Sequence, residues 1–250
     1  MFEDKHYRNP FLKEVIVRID FPAPAYDDKS LPKTVANKAI NNFPIQEERK
    51  ALSQELTLSP SEIHHKRQEF TEWHFHGIKR QKKLIITPRF IAISYSRYTS
   101  FEELKDGFLQ VTSVMFEHDP DIRASRLGLR YINHIDIPKH DPYEWGDLIN
   151  RELLGLFEHF SDRKNIINRI FHIVEYKYED DIQLKFQFGV PNPDFPAPVR
   201  APLFVLDMDA YYNGLQDKND ISDNLNNSHE RIQHLFENSI TDNLRRLMDG

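Results

Sequence analysis

The stretch RLGLRYINHIDI, from Arg126 to Ile137, decides the fold class. Leu127, Leu129, Tyr131, Ile135 and Ile137 alternate with Arg126, Arg130, His134 and Asp136. A period of two is the pattern of a strand with one face on a core and the other in water. Runs of the same kind lie on both sides of it. LKEVIVRIDF, from Leu12 to Phe21, places Val15, Val17 and Ile19 on one face before Pro22 and Pro24 stop it. Between Trp73 and Arg97 the runs EWHFHGI, KLIIT and FIAISYSR are separated by the basic turn KRQKK and by Pro88-Arg89, which reads as a meander. Ile167 to Tyr178 and Ile182 to Val190 form a hairpin around Glu179-Asp180-Asp181, and Leu203 to Ala210 is a last strand.

Helical periods separate these strands. Phe101, Leu104, Phe108, Val111 and Met115 recur at three- and four-residue spacing behind a Ser100/Glu103 capping box. Val35, Ala39, Ile40 and Phe43 share one helix face, Glu47 to Leu56 reads as a second short helix, and Trp145 to Phe160 as a longer one. A polar loop rich in Asn and Asp precedes a final helix that starts at an Asn227/Glu230 capping box and carries Ile232, Leu235, Phe236, Ile240, Leu244 and Leu247. Strands in runs with helices between them predict an α+β fold of mainly antiparallel sheets packed by long amphipathic helices. The pattern predicts two similar lobes, residues 1–138 and 139–250, which can associate into one compact unit.

The 250 residues include 18 Phe, 10 Tyr and 2 Trp against 8 Gly, enough large apolar side chains for a substantial core. With 33 Lys+Arg and 39 Asp+Glu the net charge is −6, so nucleic-acid binding requires a local basic patch. The absence of cysteine removes disulfides, thiol nucleophiles and thiolate metal sites and fits a cytoplasmic protein. MFEDKHYRNPF has no apolar core of a signal peptide, and the most apolar run, Leu84 to Tyr95, is too short to span a membrane.

Five blocks carry a resemblance: NPFLKEVIVRIDFP at Asn9 to Pro22, the Trp73-x-Phe75 strand entry, FEELKDGF at Phe101 to Phe108, RLGLRYINHIDI, and HERIQHLFENSIT at His229 to Thr241. In these the chain resembles the sporadically distributed family of uncharacterised bacterial and archaeal proteins. The resemblance implies an accessory role of the kind found in mobile-element or antiphage-defence genes and supplies no catalytic residue.

Four constellations are candidate sites. Arg126, Arg130, His134 and Asp136 line one strand face, where arginines can grip a carboxylate or phosphate from a ligand or a neighbouring strand. Asp207 and Asp209 point the same way on the last strand and can hold a divalent cation. Lys79, Arg80, Lys82 and Lys83 form a basic hairpin able to contact phosphates. His74 and His76, two apart on a strand, supply two ligands of an incomplete metal set. No phosphate loop, GxSxG or HExxH motif accompanies them. The first expectation is therefore a non-catalytic binding or accessory protein acting through a protein partner encoded nearby, with no cofactor and no membrane association. A metal-dependent hydrolase or nuclease using paired Asp and His is the alternative, and a nucleic-acid-binding module using the basic hairpin the second.

Overall fold

Alternation along the central strands dictates one buried face. In the computed structural model, which describes residues 4–27, 30–58 and 63–250, β1 (Leu12–Asp20) lies between β5 (Phe90–Tyr95) and β6 (Ala124–Asp136). Val15, Val17 and Ile19 of β1 are fully buried opposite Tyr131, Leu129 and Leu127 of β6. The remaining strands are β2 (Ile45–Leu58), β3 (Ile63–His76), β4 (Lys82–Ile86), β7 (Ile170–Lys177), β8 (Ile182–Val190) and β9 (Leu203–Gln216). They extend a single nine-stranded sheet in the order β2-β3-β4-β5-β1-β6-β9-β8-β7, and every neighbouring pair is antiparallel.

This overturns the expectation of separate sheets packed by long amphipathic helices in two similar lobes. The β6–β9 ladder runs across the division expected at residue 138, so residues from both halves share one sheet. The five α-helices among the described residues, α1 (Lys33–Asn42), α2 (Phe101–His118), α3 (Gly155–His159), α4 (Lys218–Ser239) and α5 (Asp242–Asp249), do not pack on it as long amphipathic helices, and three of them span ten residues or fewer. Residues 47–56, expected to be helical, lie in β2 and pair with β3 along its whole length. Cross-strand pairing here overrides the helix propensity of the Glu, Lys, Ala and Leu residues.

The segment after Pro142 departs further. Instead of one helix to Phe160 it contains turns, a 3-10 stretch at Arg151–Leu154 and the single-turn α3. Its backbone groups have other partners. Leu148 accepts from Thr241 N–H at 3.0 Å, Asn150 N–H donates to Ser239 at 2.8 Å, and Ile149 bridges Ile240. The same contacts end α4 at Ser239 and start α5 after Thr241, whose hydroxyl caps Leu244 N–H. The long C-terminal helix expected from Asn227 is thus two helices, and α4 begins ten residues earlier at an Asp217/Asp220 capping box, taking up what read as a polar loop.

Burial assigns different weights to neighbouring apolar residues. Phe75 is fully buried in β3 and Ile78, in the following turn, is 82% exposed. Phe75→Ala is expected to lower stability by about 3–5 kcal/mol through lost transfer energy and the cavity left behind. Ile78→Ala should stay within about 0.5 kcal/mol of the parent, as for most exposed positions, when both are measured by urea unfolding.

Candidate functional site: an arginine–aspartate face and a buried Asp–His–Tyr chain

The face of the sheet opposite the Val15–Val17–Ile19 side carries the polar residues of the central strands. Register sets Arg130 of β6 opposite Asp209 of β9, and Ile132 opposite Asp207. The Arg130 side chain reaches diagonally to Asp207, donating from Nε at 2.8 Å and from a terminal nitrogen at 2.6 Å, a bidentate pair. Arg126 lies 3.5 Å from Asp209 and 3.9 Å from Asp20, with its guanidinium 5.0 Å from the Tyr211 ring centre. Gly128 leaves room for this arrangement: a Cβ there would stand 2.9 Å from the Arg126 guanidinium, which would have to shift. Arg126 and Arg130 of β6 therefore meet Asp209 and Asp207 of β9, and they meet as ion pairs.

The electrostatics follow from the pairing. The Arg130 guanidinium is pushed up by its hydrogen bonds to Asp207. Asp209 is raised by burial, which outweighs the attraction of Arg126, Arg130 and Lys185, and Asp207 raises it further. His134 is lowered by burial and by Lys13, against the pull of Asp207 and Asp136. Asp136 is exposed at the end of β6. A guanidinium seated on Asp207 opposes a divalent cation at the aspartate pair.

His74 and His76 lie on β3, four strand spacings from β6 and hence roughly 19 Å away at ~4.8 Å per strand. They do not join Asp207 and Asp209. Both are buried, their ring centres 6.4 Å apart, with His74 Nε2 2.7 Å from Glu72 and His76 Nε2 3.8 Å from Glu47. Burial pushes His76 down, although Glu47 opposes it. In the basic hairpin, Arg80 donates to Glu47 at 2.5 Å and Lys82 pairs with Glu103. Lys79 is exposed in the turn and Lys83 half-buried on β4. Two of the four cations are thus already neutralised.

A second site was not anticipated. Tyr131 faces the opposite side of β6 from Arg130, and its hydroxyl lies 3.0 Å from Tyr98 Oη and 3.0 Å from His229 Nδ1 on α4. His229 Nε2 is 3.0 Å from Asp4 Oδ1, and Phe101 stacks on the imidazole at 4.0 Å between centres. Burial lowers His229, although Asp4 and Glu102 pull the other way. A neutral ring beside a carboxylate carries its proton on Nε2 and leaves Nδ1 to accept from Tyr131, so the hydroxyl of Tyr98 donates to Tyr131. Burial also raises both phenols well above their ordinary range. The chain lines a cavity of about 90 Å³ together with Tyr7, Leu12, Ile232 and Phe236. One sequence signal for it exists: His229 sits among Leu225, Ile232 and Phe236 on a helical stripe, and Tyr131 brings a hydroxyl to the inward face of β6.

No protein-family model matches the chain, and no curated protein matches it. Among the described residues, no helix is long and apolar enough to cross a membrane.

Two outcomes distinguish the sites. Asp207→Asn is expected to cost about 1–3 kcal/mol by leaving the Arg130 fork unpaired; the loss is held below that of a fully buried pair because the guanidinium is 40% exposed. Asp209→Asn behaves oppositely. A folded-state value above the unfolded one means stability is lost as pH rises from the ordinary carboxylate range through the raised value. The Asn variant should therefore be as stable as the parent or more so at pH 7, with the gap closing below pH 3.8. Thermal melts of both variants across pH read the two effects. Tyr131→Phe is expected to cost about 1–3 kcal/mol because both neighbours lose a partner inside the core. Tyr98→Phe, at the end of the chain, should cost less in the same unfolding assay.

Proposed function

We propose that the protein is a non-catalytic binding or accessory protein that acts through a protein partner encoded nearby, in a cytoplasmic mobile-element or defence setting. The single observation that carries the binding reading is the edge strand β7. It ends the sheet, and among the described residues no strand pairs with its outer side. Phe171 and Ile173 project from one face and Val174 and Tyr176 from the other, and all four are exposed. An unpaired ladder with apolar side chains on both faces is the template that strand addition uses, since backbone groups supply affinity and alternate side chains supply selection. The resemblance in the five sequence blocks supports the accessory setting. The chemistry around the charged residues agrees with a role without catalysis: the arginines of the open face are closed onto aspartates, and the buried phenols are held in their neutral form.

The matching ligand is an extended apolar segment of the partner laid beside β7, with a cation or anion placed to meet Glu175 or Lys177. Co-expression with the product of an adjacent gene, followed by light scattering on the purified material, tests it. A stable complex with the parent that is lost in Ile173→Lys and in Val174→Glu, with melting temperatures unchanged, is the expected result. A complex that survives both substitutions removes β7 from the interface. A homodimer of the parent that the same substitutions dissolve would replace the foreign partner with a second copy of this chain.

A further inference from the structure

Beside the cavity, which Asp4 and His6 line, lies a constellation that neither the strand-addition reading nor the Arg–Asp face uses. Asp4, His6 and Glu102 come from the segment before β1 and from the first turn of α2, and their donor atoms all lie within 4.8 Å of one another. No other such group of three occurs among the described residues. His6 Nε2 is 3.1 Å from Asp4 Oδ2, and His229 Nε2 is 3.0 Å from the other oxygen, Asp4 Oδ1. Asp4 Oδ2 is itself buried and accepts no hydrogen bond. That oxygen has the His6 imidazole as its neighbour at 3.1 Å but no donor aligned for a hydrogen bond, which leaves its lone pairs available to a cation shared with the ring.

We propose that Asp4, His6 and Glu102 bind one divalent transition-metal ion beside the cavity. The donor set fits that class. Imidazole favours zinc and its neighbours over magnesium or calcium, and two carboxylates neutralise the cation. Metal–donor distances of about 2.0–2.2 Å put tetrahedral donors roughly 3.3 Å apart, so no gap has to close by more than about 1.5 Å. His6 and Glu102 are exposed and have the freedom to do this. Asp4 is the fixed member, because His229, buried and stacked on Phe101, holds its Oδ1. That arrangement supplies an outer partner orienting a ligating carboxylate, with hydrogen bonds running on through Tyr131 to Tyr98. Three protein ligands leave a coordination position open, and two of them, Asp4 and His6, line the cavity together with Tyr98 and Tyr131.

The test uses the full chain after treatment with a chelator. Calorimetric titration with zinc chloride is expected to show one site per chain, and cobalt(II) should give the visible absorption of a four- or five-coordinate nitrogen–oxygen site. His6→Ala and Glu102→Gln, both at exposed positions, should each weaken zinc binding by at least tenfold and abolish the cobalt spectrum. Asp207→Asn should leave both unchanged. The proposal fails if the parent binds no zinc at millimolar metal, or if binding and spectrum persist in the His6 and Glu102 variants. Loss of the site in Asp207→Asn would also overturn it, by placing the metal on the open face. None of these results bears on β7, so this inference and the strand-addition reading stand or fall separately.

Discussion

Val15, Val17 and Ile19 face Tyr131, Leu129 and Leu127 across the β1–β6 ladder, and the register of that ladder constrains everything built outward from it. A slip of one residue would turn Arg18 and Arg130 into the core and expose the valines, because successive side chains alternate faces. Each buried aliphatic side chain contributes roughly 1.5–3 kcal/mol, so the slipped arrangement loses several such terms together. With the register fixed, β5 and β9 take their places on either side. The open face then receives Arg126, Arg130, Asp207 and Asp209, while Tyr131 is delivered to the other side beneath His229.

The two polar networks on opposite faces of β6 have different physical characters. On the open face, charge answers charge over a half-wet surface, and Arg130 holds Asp207 through two hydrogen bonds. On the other side, neutral groups are linked in one direction from Tyr98 to the Asp4 carboxylate, so a single anion orients three donors. Inside a low-dielectric environment such a chain is strengthened by mutual polarisation and is costly to interrupt.

Strands were legible where alternation was strong and where each face had one fate. β6, β8 and the inward side of β1 follow their sequence pattern, and the diagonal contact of Arg130 with Asp207 is consistent with the side on which those residues were placed. Residues 145–160 show the opposite case. Trp145, Leu148 and Phe157 are buried as their apolarity requires, yet the chain is not one helix, because Leu148 and Asn150 bond to the 239–241 corner. A long-range backbone pairing of that kind has no local signature. Residues 47–56 were misread for a related reason, since their composition favours a helix and only the presence of β3 makes them a strand. The Asp4–His229 link joins positions 225 residues apart, and it was invisible in the sequence beyond the polar break that His229 makes in the stripe of α4.

That separation has a consequence for how the chain reaches its native state. β1 emerges first but occupies the middle of the sheet, so its second neighbour, β6, is more than a hundred residues away when β1 is made. The segment around Asp4, Lys5 and Tyr7 waits longer still, because its partners Glu237 and His229 lie in α4. Loop closure over such spans is entropically slow, and contacts of this range delay folding relative to local ones. During synthesis at about 5–20 residues per second, β1 is therefore without its β6 ladder partner for several seconds. The meander from β3 to β5 can assemble in that interval, and the N-terminal segment closes over the cavity only after the last helices have formed.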